Sequence, residues 1–355
     1  MNIIYDAHIF LTQKAGGISR YHYELFKGMR RLGHDARIAG LFVKNNYLLS
    51  DPQYGKSFIL DPTASFAAFN KWILKKRLKK SNQNIIFHPA NAYQYLYPEI
   101  FDVKHKVFTI HDMIVEKQNA SAGADKRMYA ENASKIIAVS EATKRDIVKL
   151  WGIDREKIEV IYHGSSLNLQ SAQATRTPVP DNFLLYVGDR DGHKNFTTFI
   201  QAIAPLLIKQ KNLYLVCAGK RVFSKQETQM IKELAIEKKV IFLIRPSDNE
   251  LTYLYGNAKV FVFPSINEGF GIPILEAWSC GTPVVLSCND CFTEIAAEAG
   301  YYFSPNLTDS IYESVKRVLF DKDIQKDLVQ KGKNRLSLFS WEKTVNQTAA
   351  LYNSI

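Results

Sequence analysis

A chain of 355 residues is long for a single hydrophobic core, so two domains are expected. Hydrophobic residues at 46% and charged residues at 23% describe an ordinary soluble globular protein, and no apolar run approaches the roughly 18 to 20 residues that span a bilayer. The net charge of +11 implies an acidic partner: nucleic acid, a phosphorylated ligand or an anionic membrane.

The chain opens with MNIIYDAHIF, which has no basic region ahead of its apolar residues and carries Asp6. It reads as a first strand rather than a signal peptide, and cytoplasm is the expected location. Next comes GGISRY (16–21), where Gly16 and Gly17 can bring backbone N–H groups close to a phosphate or sugar before the helix that starts at Ser19. A plain tight turn is the other reading. The densest basic stretch is KWILKKRLKK (71–80), with Trp72, Ile73, Leu74 and Leu78 interleaved among lysines and an arginine. Such a segment can lie on an anionic membrane surface, at the inner face of the membrane, or it is a solvated helix face. No helix-turn-helix, zinc-finger or RNA-binding signature accompanies the charge, so nucleic acid is not expected as a partner.

Short apolar runs alternate with helical patterns along the whole chain, the mark of parallel sheets with crossover helices. The first half offers NIIYDAHIF, ARIAGLFV, NIIFHPA, KVFTIHD, KIIAVS and IEVIYHG as strands, and the second offers FLLYVGD, LYLVCAG, VIFLI, KVFVFPS, PVVLS and YYFS. Between the sets, 165–182 is polar and proline-containing and reads as a linker. The expected architecture is α/β, with two doubly wound Rossmann-like domains facing across a cleft, one spanning 1–167 and the other 182–339. Ligands of such domains bind outside the carboxyl ends of the strands.

Candidate residues therefore lie just after strands. His111 ends KVFTIHD and can bond a substrate hydroxyl or be a satisfied core residue. YVGDRDGHKN (186–195) carries Arg190, His193 and Lys194, cations able to neutralise a diphosphate leaving group. Asp189 and Asp191 form a D-x-D triplet, but the neighbouring cations argue against a metal there. Ser224 with Glu227 and Ser247 with Glu250 are capping-box pairs that mark helix starts. With the strand KVFVFPS (259–265) ahead of it, the run EGFGIPILE (268–276) reads as a glycine loop opening a helix near Gly271, with Gly269, Phe270, Gly271 and Ile272 between Glu268 and Glu276 and Pro273 in the helix's first turn. A helix start there aims its positive end at an anion, and the two glutamates can serve a ligand's reacting end and its hydroxyls. A capped helix with a charged first turn is the plain alternative. The four cysteines include one C-x-x-C pair, Cys288 and Cys291, without the further ligands of a zinc site, and inert thiols are expected.

Taken together, GGISRY, TIHD, VSEATKRDI (139–147), VIYHG, YVGDRDGHKNF, EGFGIPILEAWSCGTPVVLS and the closing FSWEKT resemble the retaining glycosyltransferases of family 4, which have the GT-B fold. The resemblance covers nearly the whole chain. It implies a hexosyltransferase that needs no cofactor or metal, takes a nucleotide-diphosphate sugar as donor, and acts on a glycan or lipid-linked acceptor in polysaccharide synthesis. Overall likeness points to GDP-mannose. By the family's pattern Glu276 holds the donor ribose, Glu268 contacts the transferred sugar, Lys194 binds the diphosphate, His111 touches the sugar, and Gly16 and Gly17 line the junction of donor and acceptor. Members usually carry an arginine just before that lysine or shortly after the Val-Gly pair. Here His193 and Asp189 stand there, and Arg190 is the substitute. The last helix, about 340–355, is expected to pack back on the first domain. A sugar-nucleotide epimerase or hydrolase, or a non-catalytic sugar-nucleotide-binding subunit, are the alternatives on the same fold.

Overall fold

The computed structural model describes residues 1–80, 85–90, 102–119, 122–167, 178–190 and 192–355. By its internal contacts the chain forms two units, Met1–Gly164 with Trp341–Ile355, and Ser165–Ser340. Most of the polar segment read as a linker, the residue Asn84 and the second acid of the D-x-D triplet, Asp191, lie outside the described residues.

In the first unit the strands are β1 (Asn2–Asp6), β2 (Asp35–Ala39), β3 (Phe42–Val43), β4 (Ile59–Leu60), β5 (Ile86–Phe87), β6 (His105–Ile110), β7 (Lys135–Ala138) and β8 (Ile158–Val160). Six of them make an all-parallel sheet in the order β2-β1-β5-β6-β7-β8, and β3 and β4 pair separately. Two strand expectations are corrected here. The apolar run NIIYDAHIF stops being a strand at Asp6, whose side chain accepts the His8 N–H at 2.7 Å and turns the chain into a short helix, His8–Thr12. ARIAGLFV breaks at Gly40, where a Cβ would lie 2.3 Å from that of Ala7, so β2 and β3 enter different sheets. The helix after Gly16 starts at Gly17, two residues earlier than read, and runs to Arg31.

The C-terminal helix Trp341–Asn353 belongs to this unit. It packs on the helix Gly17–Arg31, where Gly28 gives room for Val345, and its Tyr352 is buried beside Tyr5 and His88. The Thr344 hydroxyl donates to the Tyr162 carbonyl at 2.6 Å.

The second unit holds β9 (Phe183–Val187), β10 (Tyr214–Gly219), β11 (Val240–Ile244), β12 (Val260–Phe263), β13 (Val284–Ser287) and β14 (Tyr301–Phe303). They pair in parallel in the order β11-β10-β9-β12-β13-β14. β12 and β13 are buried along their whole length, as their unbroken β-branched and aromatic runs require of a sheet covered on both faces. Both expected capping boxes are present, at Ser224 with Glu227 and Ser247 with Glu250. In this order the sheet reverses direction of growth between β9 and β12, the switch point at whose carboxyl end a doubly wound sheet opens a crevice. Among the described residues no helix is long and apolar enough to cross a membrane.

Candidate active site

The loops after β9 and β12 meet at that switch point. The turn Gly192–Lys194 presents Lys194, and Asn195 follows in the left-handed region (φ 55°) to start the helix Phe196–Lys209. Across from it, the Ile266 N–H donates to the His193 carbonyl at 2.8 Å, tying the two loops together. Asn289, from the loop after β13, braces the same segment by donating its side-chain amide to the Ser265 carbonyl at 3.0 Å. On this frame Lys194 Nζ sits 2.5 Å from Glu268 Oε1, with 19% and 12% of the two side chains exposed. A carboxylate and an ammonium so placed hold each other while keeping an edge toward solvent.

Gly271 caps the helix Ile272–Ser279 at φ 101°, a conformation glycine adopts without strain, and a Cβ there would also press on the Phe292 ring at 3.0 Å. Pro273 stands in the first turn, as read from the sequence. The helix N-terminus thus closes the loop that carries Glu268, and its partial positive charge suits an anion. Glu276 lies in that helix with Oε2 accepting from the Tyr255 hydroxyl at 3.0 Å. Burial first, and then the neighbouring Glu276, keep the Tyr255 phenol well above its ordinary value, so it remains a donor that orients the carboxylate. Phe270 is turned inward against Phe339, which leaves its backbone as the part a ligand could meet.

Arg190, expected beside the phosphate, is engaged within its own unit. Its side chain is only 5% exposed. Nε donates to Glu227 at 2.6 Å, and one terminal nitrogen donates to the Arg221 and Val222 carbonyls at 2.8 and 2.7 Å. The guanidinium lies over the rings of Phe223 and Phe242, each 4.7 Å from the centroid. Because Glu227 also closes the capping box, Arg190 clamps the helix Lys225–Glu233 to the sheet. Burial raises the Glu227 carboxyl, but the Ser224 N–H and Arg190 outweigh it and hold the group ionised below its usual range.

In the first unit, the helix capped by Gly16 and begun at Gly17 delivers Tyr21 edge-on to His111, with ring centroids 5.1 Å apart. Gly16 itself is extended, and a side chain there would strike Gln13. Around Tyr21, its helix neighbour His22 gathers with His88, His111 and His163 from the segments after three strands, a cluster invisible in the sequence because its members come from distant segments. His88 is fully hydrogen-bonded, to the Tyr352 hydroxyl at 2.5 Å and the Thr109 hydroxyl at 2.7 Å. His111 Nε2 is buried without a hydrogen-bond partner. Burial pushes His111 down to about 4 and His88 to about 3, so both are neutral near pH 7. The unit also holds a cavity of ≈ 210 Å³ outside the ends of β1 and β2, lined by Asp6, His8, Leu11, Asn70, Lys71 and Leu74. Sequence reading passed over it; Asp6 at the end of the first strand was the available signal.

The four cysteines are unpaired with one another, and the buried Cys291 thiol donates to the Phe270 carbonyl at 3.1 Å. Among the described residues no group of three or more His, Cys, Asp or Glu is placed to hold a metal ion.

Two doubly wound parallel sheets, each followed by loops rich in polar residues at the strand ends, make this a protein of the GT-B class. The full chain superposes on the full length of the Anabaena protein HepE, solved in complex with UDP and glucose, with a TM-score of 0.79 at 20% identity. The model described as Glycosyltransferase Family 4 matches residues 15–169, and that described as Glycosyl transferases group 1 matches 169–335. Between them the two models cover residues 15–335, so both halves of the chain match glycosyltransferase families. It is similar to the O-antigen chain mannosyltransferase RfbU of Salmonella typhimurium, at 33% identity over 54% of this chain and 53% of that protein. It is also similar to the O-antigen chain mannosyltransferase B of Escherichia coli, at 28% identity over 76% of this chain and 74% of that protein. The match thus spans about half the length of the first relative.

Proposed function

We propose that the protein is a retaining glycosyltransferase that moves a hexose from a nucleotide-diphosphate sugar to a glycan or lipid-linked glycan in cell-surface polysaccharide synthesis. The observation that carries this reading is the Lys194–Glu268 pair at the switch point, beside a helix N-terminus capped by Gly271. Lys194 neutralises the diphosphate as it leaves, and Glu268 keeps that lysine in place and meets the transferred sugar. Glu276, oriented by Tyr255, accepts hydrogen bonds from the ribose hydroxyls. On the first unit, His111 offers its unpaired nitrogen to a sugar hydroxyl, and the Gly16–Gly17 turn and the cavity beside Asp6 and Lys71 are its contributions to substrate contact. In our reading Arg190 serves structure rather than phosphate.

The reaction fits a same-face displacement in which the departing phosphate takes the acceptor's proton. That route needs positioning and charge stabilisation, supplied by a lysine and a helix N-terminus, and asks for no protein nucleophile or resident metal. Mannose from GDP-mannose is the first donor to try, because both curated relatives named above are mannosyltransferases.

Purified protein incubated with radiolabelled sugar nucleotides and lipid-linked acceptors is expected to transfer label, with slow donor hydrolysis when acceptor is withheld. Neither transfer nor hydrolysis with any donor would overturn the proposal, and full turnover to an isomer without acceptor would assign an epimerase instead.

A further inference from the structure

The helix Ala67–Lys80 carries six cations, Lys71, Lys75, Lys76, Arg77, Lys79 and Lys80, and no acid. The sequence groups its leucines with Trp72 in a face for membrane or solvent, but the structure turns them the other way. Leu74 and Leu78 are buried in the core of the first unit. Asn70 rivets the same inner face to β3: its Oδ1 accepts the Leu41 and Phe42 N–H groups at 2.9 and 3.0 Å, and its amide donates to the Phe42 carbonyl at 2.6 Å. What remains outside is aromatic and basic. Phe69, Trp72, Lys76 and Lys79 follow one another at helical spacing along the exposed face.

This face continues onto the small sheet. Phe66 stacks on Phe42 with centroids 4.2 Å apart, Phe69 meets Phe42 edge-on at 5.5 Å, and Trp72 leans on Phe69 at 5.4 Å. Ile59 is the cross-strand partner of Phe42, with Leu60 next to it. Ile59, Leu60, Phe66, Phe69 and Trp72 are each 41–59% exposed. Single exposed apolar residues need no explanation, but Phe66, Phe69 and Trp72, joined with Phe42 in one aromatic stack, and Ile59 paired to Phe42 form a continuous surface over which water is ordered. Lys76 Nζ lies 4.0 Å from the centre of the Trp72 ring, so the charged and apolar parts form one surface.

We propose that this face, Ile59 with Phe66, Phe69, Trp72, Lys76, Lys79 and Lys80, docks the protein on an anionic lipid bilayer. The chemistry selects that occupant. Aromatic rings of this kind settle at the level of lipid head groups, and lysines beside them gain from negative surface potential. A second copy of the chain would set six cations against six. The surface reaches further than the basic segment alone, because its apolar anchor comes from β4 and from the start of the helix. The inner side of this helix also lines the cavity beside Asp6 through Asn70, Lys71 and Leu74, so docking would hold that cavity next to the lipid surface. The proposal stands on the patch and not on the assigned reaction.

The test is co-sedimentation with vesicles of phosphatidylcholine alone and of phosphatidylcholine mixed with phosphatidylglycerol, at about 0.1 M salt. The full chain is expected to sediment with the mixed vesicles only. Phe69→Ser with Trp72→Ser, both at exposed positions, should abolish binding, and Lys76→Ala with Lys79→Ala should weaken it roughly tenfold or more. Both variants should keep the wild-type melting temperature and donor hydrolysis. Equal partition into both vesicle types, no binding to either, or binding untouched by the aromatic pair would overturn the proposal. So would concentration-dependent dimerisation that the aromatic pair abolishes while vesicles bind nothing.

Discussion

Lys194 and Glu268, 74 residues apart in the chain, bring Nζ and Oε1 to 2.5 Å at the point where the second sheet reverses its strand order. The pair is partly exposed, so it adds little to stability, of the order of 1 kcal/mol or less. Its cost and its value lie in chemistry. Glu268→Gln and Lys194→Ala should each lower the transfer rate by about 10²-fold or more, while melting temperature moves little. Steady-state assays with thermal unfolding of the same preparations check this. A large fall in stability with normal transfer by the folded fraction would contradict it.

Glu276 is held by a phenol that burial prevents from ionising. Tyr255→Phe removes one oriented hydrogen bond and leaves the carboxylate in place. The expected result is a donor KM raised about tenfold or more with kcat nearly unchanged, because a hydrogen bond to a carboxylate is worth about 1.5 kcal/mol or more. Glu276→Ala should raise donor KM further.

Arg190 and Glu227 give the opposite pattern. Arg190 is the more enclosed cation, 5% exposed against 19% for Lys194, and its loss also removes the bonds to the Arg221 and Val222 carbonyls and the contact with Phe223 and Phe242, so the total cost is on the order of 3 kcal/mol. Arg190→Ala should therefore lower the urea midpoint of the second unit strongly, yet leave donor affinity of the folded fraction intact. Weakened donor binding at unchanged stability would return Arg190 to the phosphate.

The C-terminal helix can be tested from one glycine. A Cβ on Gly28 would lie 2.3 Å from Val345 Cγ2. Gly28→Ala should destabilise the first unit by roughly 1–3 kcal/mol through overpacking, and Val345→Ala should restore part of the loss when the two are combined. Additive effects in the double-mutant cycle would contradict the contact.

The buried histidines set a pH dependence. In the unfolded chain a histidine binds its proton near pH 6.5, whereas in the fold His111 does so only near 4 and His88 near 3. As pH falls below about 6.5 the unfolded state takes up more protons, so stability is full above that value and declines toward pH 4 and below. The shift on His111 alone corresponds to roughly 3 kcal/mol across the window. Urea midpoints between neutral and acid pH should show the fall, and His111→Asn should make it shallower, with the other buried histidines of the cluster supplying the rest.

What was legible in the sequence was local. The run EGFGIPILE carries its glycine, proline and glutamates within one strand-loop-helix unit, so its helix start could be read at Gly271. The capping boxes are local in the same way. Tertiary contacts decided the rest. Nothing near Arg190 in sequence announces Glu227, Phe223 or Phe242, and a free cation was the natural reading. The apolar residues of 71–80 have no visible inner and outer face until Asn70 anchors the helix. The short helix His8–Thr12 hid inside an apolar run because one Asp6 side chain, through a turn, ends the strand.

The central claim is that the second unit binds a nucleotide-diphosphate sugar through Lys194, Glu268 and Glu276. Melting temperature measured with a panel of UDP, GDP, dTDP and ADP sugars tests it most directly, since a ligand that binds only the folded state raises the midpoint by mass action. The account predicts a rise with the sugars of one base that is reduced in Lys194→Ala and lost in Glu276→Ala. No rise with any donor, or a rise that both variants keep, would contradict it.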